Sequence, residues 1–526
     1  MKRKDPPSVT MPNKGIIRRH GPAQTVYIYY TLRAYRNKKG RPTSETALIG
    51  KLAPDGISLV PNSRYFELFP RVVPPASMPV IDDIRSNGIT RTFEALADSM
   101  GLTSCLKQAF PAEYRAVMTA SIYMAECGNV MAYIDDWLDV TDAPDRTMTS
   151  QGISRLFAGI TPVKRKEFLG QWVKEHSDIG HIAYDVTSIS THSDALDMAE
   201  WGHNRDGESL AQLNVGMFYG ITNGIPLYYS LYNGSICDKS HLPYMMGDAI
   251  ELGIDNVEYV FDKGFVTEEN LAHMEQTGMH FLAPCPPSRK DAKALIARIG
   301  AKVKDPANWI CDEECYGMRT EFNLLGQNLL AHVFYDSARF ADRERALYTY
   351  ISKLAGELQE VTDKRIAKRY RDFFVFQEQM VKSAPLVFIR NEEAISSALA
   401  EAGFAVFITN DDTLSPRDVL KLYRRRDEVE KAFDDLKNGI DFKRFKTHTQ
   451  QTTDGKTFVG FIALILRSHI LNLLQKNQTT KDMALTKALL ELRKLRYVIT
   501  ATGEKHNLLV TKTQTIIANA LGLSFV

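Results

Sequence analysis

The sequence predicts a mixed α/β protein: a mixed sheet with helices over it, preceded by a small β-meander and a helical region. Three observations carry that expectation. Residues 25–60 alternate in short runs split by turn residues. Residues 88–178 turn to helical spacing. From 179 three apolar runs follow in succession, and then helix and strand patterns alternate.

In chain order, VYIYYTLRAY, the turn NKKG, TALIGKL, the turn PDG and ISLV make the meander, with a basic hairpin tip. TRTFEALADSMGLTSCLKQAF sets Ala97 and Gly101 four apart, a spacing shared by helix-turn-helix units and by two ordinary packed helices. TSQGISRLFAGI and PVKRKEFLGQWV continue the helices. HIAYDVTSIS, LAQLNVGMFYGI and IPLYYSLYNGS read as three strands. SHLPYMMGDAIELG is helical, NVEYVFDKGF a strand, TEENLAHMEQTG a helix and HFLAP a strand. APCPPS opens an interruption with charged helices around 341–372 and strands such as APLVFI. FAVFITN then leads to a charged helix, and GFIALILRSHILNLLQ to a long apolar one. The expected divisions are a basic arm and meander (1–87), a helical, DNA-end-binding region (88–178), two core segments (179–283 and 412–475) around an interruption (284–411), and a tail (476–526).

The chain's 526 residues suffice for several domains, and 44% hydrophobic residues suit a globular protein with real cores. The net charge of +2 hides an uneven distribution. Lys2, Arg3, Lys4, Lys14, Arg18, Arg19, Arg33, Arg36, Lys38, Lys39 and Arg41 stand against a single acid, Asp5, in the first 41 residues. Such an arm suits a polyanion partner; the plainer alternative is a solvated tail over the first 20 residues. Six scattered cysteines argue for free thiols in a reducing compartment, and the lone Cys311/Cys315 pair argues against zinc. No apolar signal core opens the chain, and the longest apolar run, 458–466, ends at Arg467, too short to cross a bilayer. A soluble cytoplasmic protein is expected.

The charged helix KLYRRRDEVEKAFDDLKNGI is preceded by Ser415 as N-cap, Pro416 in the first turn and Asp418 as capping-box acid. Asn438 and Gly439 close it. Val419, Tyr423, Arg426, Glu430, Phe433 and Lys437 share one side, so Arg426 and Glu430 lie among apolar neighbours. Asp185 sits inside the apolar strand IAYDVTS, and Asp262 ends VEYVFDKGF. A carboxylate in a buried strand needs compensation. Two on neighbouring strands repel unless protonated or bridged by a cation such as Mg²⁺ or Mn²⁺. A helix packed across the sheet would bring Glu430 to both. Three carboxylates can hold two metal ions ~4 Å apart for phosphoryl transfer. Taken alone, the helix also reads as a surface helix with an Arg426–Glu430 salt bridge.

The spacing Tyr423, two residues, Arg426, three residues, Glu430, six residues, Lys437 resembles the Tyr-Arg-Glu-Lys signature of DDE transposases from bacterial insertion sequences. AYDVTS resembles that family's first Asp strand and VFDKGF its second Asp motif, with Lys263 where the family more often has Arg. The 168 positions from Asp262 to Glu430 are similar to the branch with an insertion domain before the last catalytic helix. The resemblance covers about 180–475. It implies an RNase H-like core interrupted by an insertion domain at 284–411. It implies catalytic, metal-binding Asp185, Asp262 and Glu430 holding two Mg²⁺ ions, with Mn²⁺ as substitute. It also implies cutting of element ends to free 3′ hydroxyls that attack target DNA, and Tyr423, Arg426 and Lys437 at the DNA end. The partners it implies are double-stranded DNA, as terminal inverted repeats and target, and a second copy of the chain in the end complex.

Other candidates stand beside these. Thr187 and Ser188 could bond a metal water or phosphate, though ordinary strand residues account for them. Arg205 in GHNRDGES could touch DNA, against the default of a solvated loop, and His192 and His203 have poor metal spacing. Arg444, with Lys446 and His448, forms a basic strip suited to a DNA backbone. Two other readings compete: a non-enzymatic DNA-binding descendant of a transposase, and a paired-carboxylate glycosidase. The glycosidase explains neither the basic arm nor the cations on the Glu430 side.

Overall fold

In the computed structural model, residues 8–22, 25–70, 81–176, 180–254, 257–360, 368–376 and 387–525 are described. The chain forms two compact units, 1–85 with 496–509, and 86–495 with 510–526.

In the first unit, the meander expected at 25–60 is an antiparallel sheet. Val26–Arg36 pairs with Pro42–Leu52, which pairs with Ser58–Pro61. Asn37 turns the hairpin: its side-chain oxygen accepts from the backbone of Lys39 (3.0 Å) and Arg41 (3.1 Å), and Gly40 takes the left-handed φ of 71°. Part of the first 20 residues belongs to the sheet too. Val9–Thr10 pairs with Ser58–Pro61, and Ile16–His20 with Val26–Arg36. These residues are therefore sheet edges rather than a tail; Lys2, Arg3 and Lys4 lie outside the described residues. Val9, Ile28, Ile49, Leu59 and Tyr65 form the small core. A further three-stranded sheet joins Ile81–Ser86, Arg496–Thr500 and Lys505–Asn507.

The second unit is built on a ten-stranded mixed sheet. His181–Thr191, Gln212–Gly220 and Ile225–Asn233 form the expected antiparallel meander. Glu258–Val260 adds parallel to the first of them, and His280–Cys285 parallel to that. Phe404–Thr409 then continues the sheet antiparallel. The segment before it is no appendage to this sheet. Its strands Cys315–Leu324 and Gln327–Tyr335 pair onto Phe404–Thr409, while Ile351, Leu354, Leu358, Tyr370, Phe374 and Ile395 make a separate small core.

The long apolar helix, Gln450–Lys476, is buried along most of its length. By length and composition it could cross a membrane, with a mean hydropathy of 1.7 in its most apolar window, but 78% of that window is buried inside the protein. An apolar run cut at Arg467 underestimates it, because Arg467 is itself buried, paired to Asp435 at 2.5 Å and bonded to the Ala125 carbonyl at 2.6 Å. Phe458 meets Phe110 (5.3 Å) and Phe168 (5.1 Å), and Phe461 meets Tyr229 (4.8 Å). The helices Gly88–Ser99 and Leu102–Ala109, joined at a left-handed Gly101, bury Phe93, Leu96, Cys105 and Leu106 in the same core.

Candidate active site

Strand His181–Thr191 is buried at every position after His181, so Asp185 must find its compensation in space. On the neighbouring parallel strand Val260 stands opposite Ala183. Two residues further on, that register brings Asp262 level with Asp185. The Tyr184 and Phe261 rings meet at 6.1 Å, and alternation along the strands then places Asp185 and Asp262 together on the other face. Beyond Ala183 the two strands part. The Asp185 strand regains a partner on that edge only at Ser190, opposite Arg444. The two aspartates therefore sit where the sheet opens.

The Glu430 helix packs across this strand. Ser415 caps it in a full capping box with Asp418, and Pro416 fills the first turn. One continuous helix is expected from the sequence, but the structure breaks it. Pro416–Arg425 and Asp427–Asp434 meet at Arg426, and a wider turn, Asp435–Gly439, carries Lys437. The break is a tightened turn: Arg426 N–H donates to the Tyr423 carbonyl (3.1 Å), and Val429 N–H to the Arg426 carbonyl (3.0 Å). The outer cations are tied elsewhere. Arg417 and Lys421 pair with Asp312 (2.5 and 3.2 Å), and Arg424 with Glu313.

Arg426 points inward and is only 9% exposed. Its guanidinium pairs with Glu430, lies 3.9 Å from Asp185 and stands over the Tyr423 ring at 5.6 Å. Burial lowers its pKa, yet Tyr423, Glu430, Asp185 and Asp262 together carry it above the ordinary value. All three predicted carboxylates thus act on one guanidinium. Burial raises the Asp185 pKa, while Arg205, the Val186 N–H and Arg426 oppose the rise. Tyr423 stacks on Phe407 at 4.6 Å, and burial raises its pKa.

Among the described residues, no three His, Cys, Asp or Glu side chains already stand close enough together to hold a metal ion. The donor chemistry nevertheless fits a hard divalent cation, because every candidate ligand is a carboxylate and two are level on adjacent strands. Arg426 supplies positive charge at that point, and Glu430, 48% exposed at its side chain, has room to turn. All six cysteines are free, Cys311 and Cys315 included.

Arg205 is the functional residue least visible in the sequence. It lies 3.4 Å from Asp185 and 2.7 Å from Asp238, so its loop is docked rather than solvated. The same loop takes up two predicted DNA contacts, with Asp206 2.7 Å from Lys437 and Glu208 2.6 Å from Arg444. Ser188 anchors the loop, accepting from Arg205 N–H at 3.1 Å. No local pattern signals these pairs, because their partners lie far along the chain. His192 contacts Arg444 at 3.2 Å, and Lys446 pairs with Asp441 at 2.7 Å.

A mixed sheet that gathers two aspartates at its opening, with a glutamate helix laid across it, defines a carboxylate-centred site of the kind that handles phosphodiesters. Residues 176–466 match the family described as the transposase DDE domain, and the chain belongs to that family. Among solved structures, the cryo-EM piggyBac transposase synaptic complex with hairpin DNA is similar to it at 9% identity and a TM-score of 0.33. That likeness covers 77% of this chain and 76% of the other and is too distant to assign residues. No curated protein matches the chain.

Proposed function

We propose that this protein is the transposase of a bacterial insertion sequence, of the branch marked here by Tyr423, Arg426, Glu430 and Lys437. It cuts the element's ends and joins the freed 3′ hydroxyls to target DNA. In this reading the sheet is an RNase H-like core, 284–411 is its insertion, and Asp185, Asp262 and Glu430 hold two Mg²⁺ or Mn²⁺ ions. The observation that carries it is Arg426, whose one guanidinium is acted on by all three carboxylates. Bound divalent ions would activate the attacking hydroxyl and stabilise the leaving oxygen.

The chain's own groups do the rest. The Val186 N–H, 2.8 Å from Oδ1, fixes the Asp185 carboxylate. Glu430 turns from Arg426 toward the aspartates, which frees the guanidinium for a phosphate flanking the reacting one. Tyr423 adds a hydroxyl held by its ring on Phe407. The substrates are double-stranded DNA ends and target DNA, and a homodimer would bring two ends together.

The test is a cleavage assay with Mg²⁺ or Mn²⁺ and labelled DNA from either side of the protein's own gene. Metal-dependent cuts at two matching inverted sequences are expected. Asp185→Ala, Asp262→Ala and Glu430→Ala should each abolish cutting and leave DNA binding largely intact. A variant that cuts at the wild-type rate removes its residue from the triad. Binding without cutting in either metal would favour a non-enzymatic descendant.

A further inference from the structure

Two residues that the proposed function sends to DNA are already engaged. Lys437 is only 8% exposed, and its ammonium lies 2.7 Å from Asp206. Arg444 meets Glu208 at 2.6 Å. Between these acids, Arg205 reaches toward Asp185 at 3.4 Å. All three partners come from one loop, 203–208. Each carries the charge of what the site would take: carboxylates where phosphates would go, and a guanidinium beside a carboxylate that would bind cations.

The loop is built to hold this position. The Asn204 side-chain oxygen accepts from Asp206 N–H (2.9 Å) and Glu208 N–H (3.2 Å), and its amide donates to Ser190 Oγ (3.0 Å). Arg205 N–H donates to Ser188 Oγ, and its guanidinium to Asp238 at 2.7 Å. Ser188 and Ser190 belong to the Asp185 strand, so the loop is pinned to the element that carries the chemistry.

We infer that loop 203–208 is an internal mimic of the DNA backbone: Asp206 and Glu208 occupy two phosphate sites, on Lys437 and Arg444, and the bound strand displaces them. The inference rests on the transposase reading. A lysine covered this far cannot meet a phosphate while Asp206 stays in place. Partly exposed ion pairs contribute at most about 1 kcal/mol each, so a polyanion that releases counterions on binding can displace them.

The test measures binding of a fluorescent DNA duplex of arbitrary sequence, without metal, so that no cutting intervenes. Asp206→Asn with Glu208→Gln keeps shape and hydrogen-bonding groups while removing both charges. It should tighten binding about tenfold, the competition of two such pairs. Glu392→Gln with Glu393→Gln, on an exposed helix start outside the site, matches the charge change and should give a much smaller gain. The gain from Asp206→Asn alone should vanish when Lys437 is alanine. Weaker binding, a gain equal to the control, or a gain that survives Lys437→Ala would each overturn the mimic. A wild-type protein that binds no DNA would overturn the transposase reading, and the mimic with it.

Discussion

Arg426 decides what the site can do. A guanidinium surrounded by Tyr423 and three carboxylates is held in place by charge, and in the proposed reaction it exchanges one of those carboxylates for phosphate. Arg426→Ala should therefore weaken DNA binding and lower the slope of log K against log salt by about one phosphate contact. Titrating a labelled duplex at several KCl concentrations measures this, and an unchanged slope would leave Arg426 as an internal ion pair only. A second buried charge lies at the other end of the same strands. Glu258 is 5% exposed, with His181 3.5 Å away. Burial, with the Asp411 charge behind it, pushes its pKa from 4.5 up to about 8. The folded state therefore keeps a proton that the unfolded chain loses above pH ~4.3. This group's contribution falls as pH rises from the unfolded to the folded pKa and is flat above it. Glu258→Gln should flatten the pH dependence of urea-unfolding stability across that window. An equal slope in wild type and variant would show that Glu258 ionises normally.

At the scale of elements, the helix that presents Arg426 begins with a cap that can be tested separately from the chemistry. Ser415→Ala removes the side-chain acceptor for Asp418 N–H, 3.2 Å away, and should cost about 1 kcal/mol in urea unfolding. Cleavage should be retained, because Ser415 lies a full helix away from Glu430; a loss of cutting without a loss of stability would mean the cap also aims the site. This cap, the Tyr423-to-Lys437 spacing and the meander strands were legible because each is written in adjacent residues: caps, turns and periodicity. The break at Arg426 was not, since it depends on where the guanidinium is drawn. The strands at 315–335 that extend the main sheet were hidden as well, because pairing 70 or more residues apart leaves no local mark. The docking of loop 203–208 was hidden for the same reason. Asp206 and Lys437 meet only after the sheet has formed, and in sequence the loop looks merely polar.

Across the whole molecule, the net charge of +2 divides sharply between the two units. Residues 1–85 and 496–509 hold 17 Lys and Arg against 7 Asp and Glu, a formal +10, so the rest of the chain carries −8. In the second unit the cations nearest the site are matched by acids: Arg426 by Glu430, Lys437 by Asp206 and Arg444 by Glu208. In the first unit Arg36, Lys38, Lys39 and Arg41 crowd an exposed hairpin tip, and none has a carboxylate partner among the described residues. Long-range attraction of DNA should therefore come from the hairpin, and local positioning from the site. Replacing Lys38, Lys39 and Arg41 together by alanine should weaken duplex binding and lower the salt slope by up to about 3, one unit per lost phosphate contact. The turn should survive, because Asn37 and Gly40 hold it through backbone groups. Cleavage at saturating DNA should stay near wild type, since none of the three belongs to the catalytic carboxylate cluster. An unchanged slope would move the first contact with DNA off the hairpin, and lost cleavage at saturation would tie the hairpin to the chemistry itself.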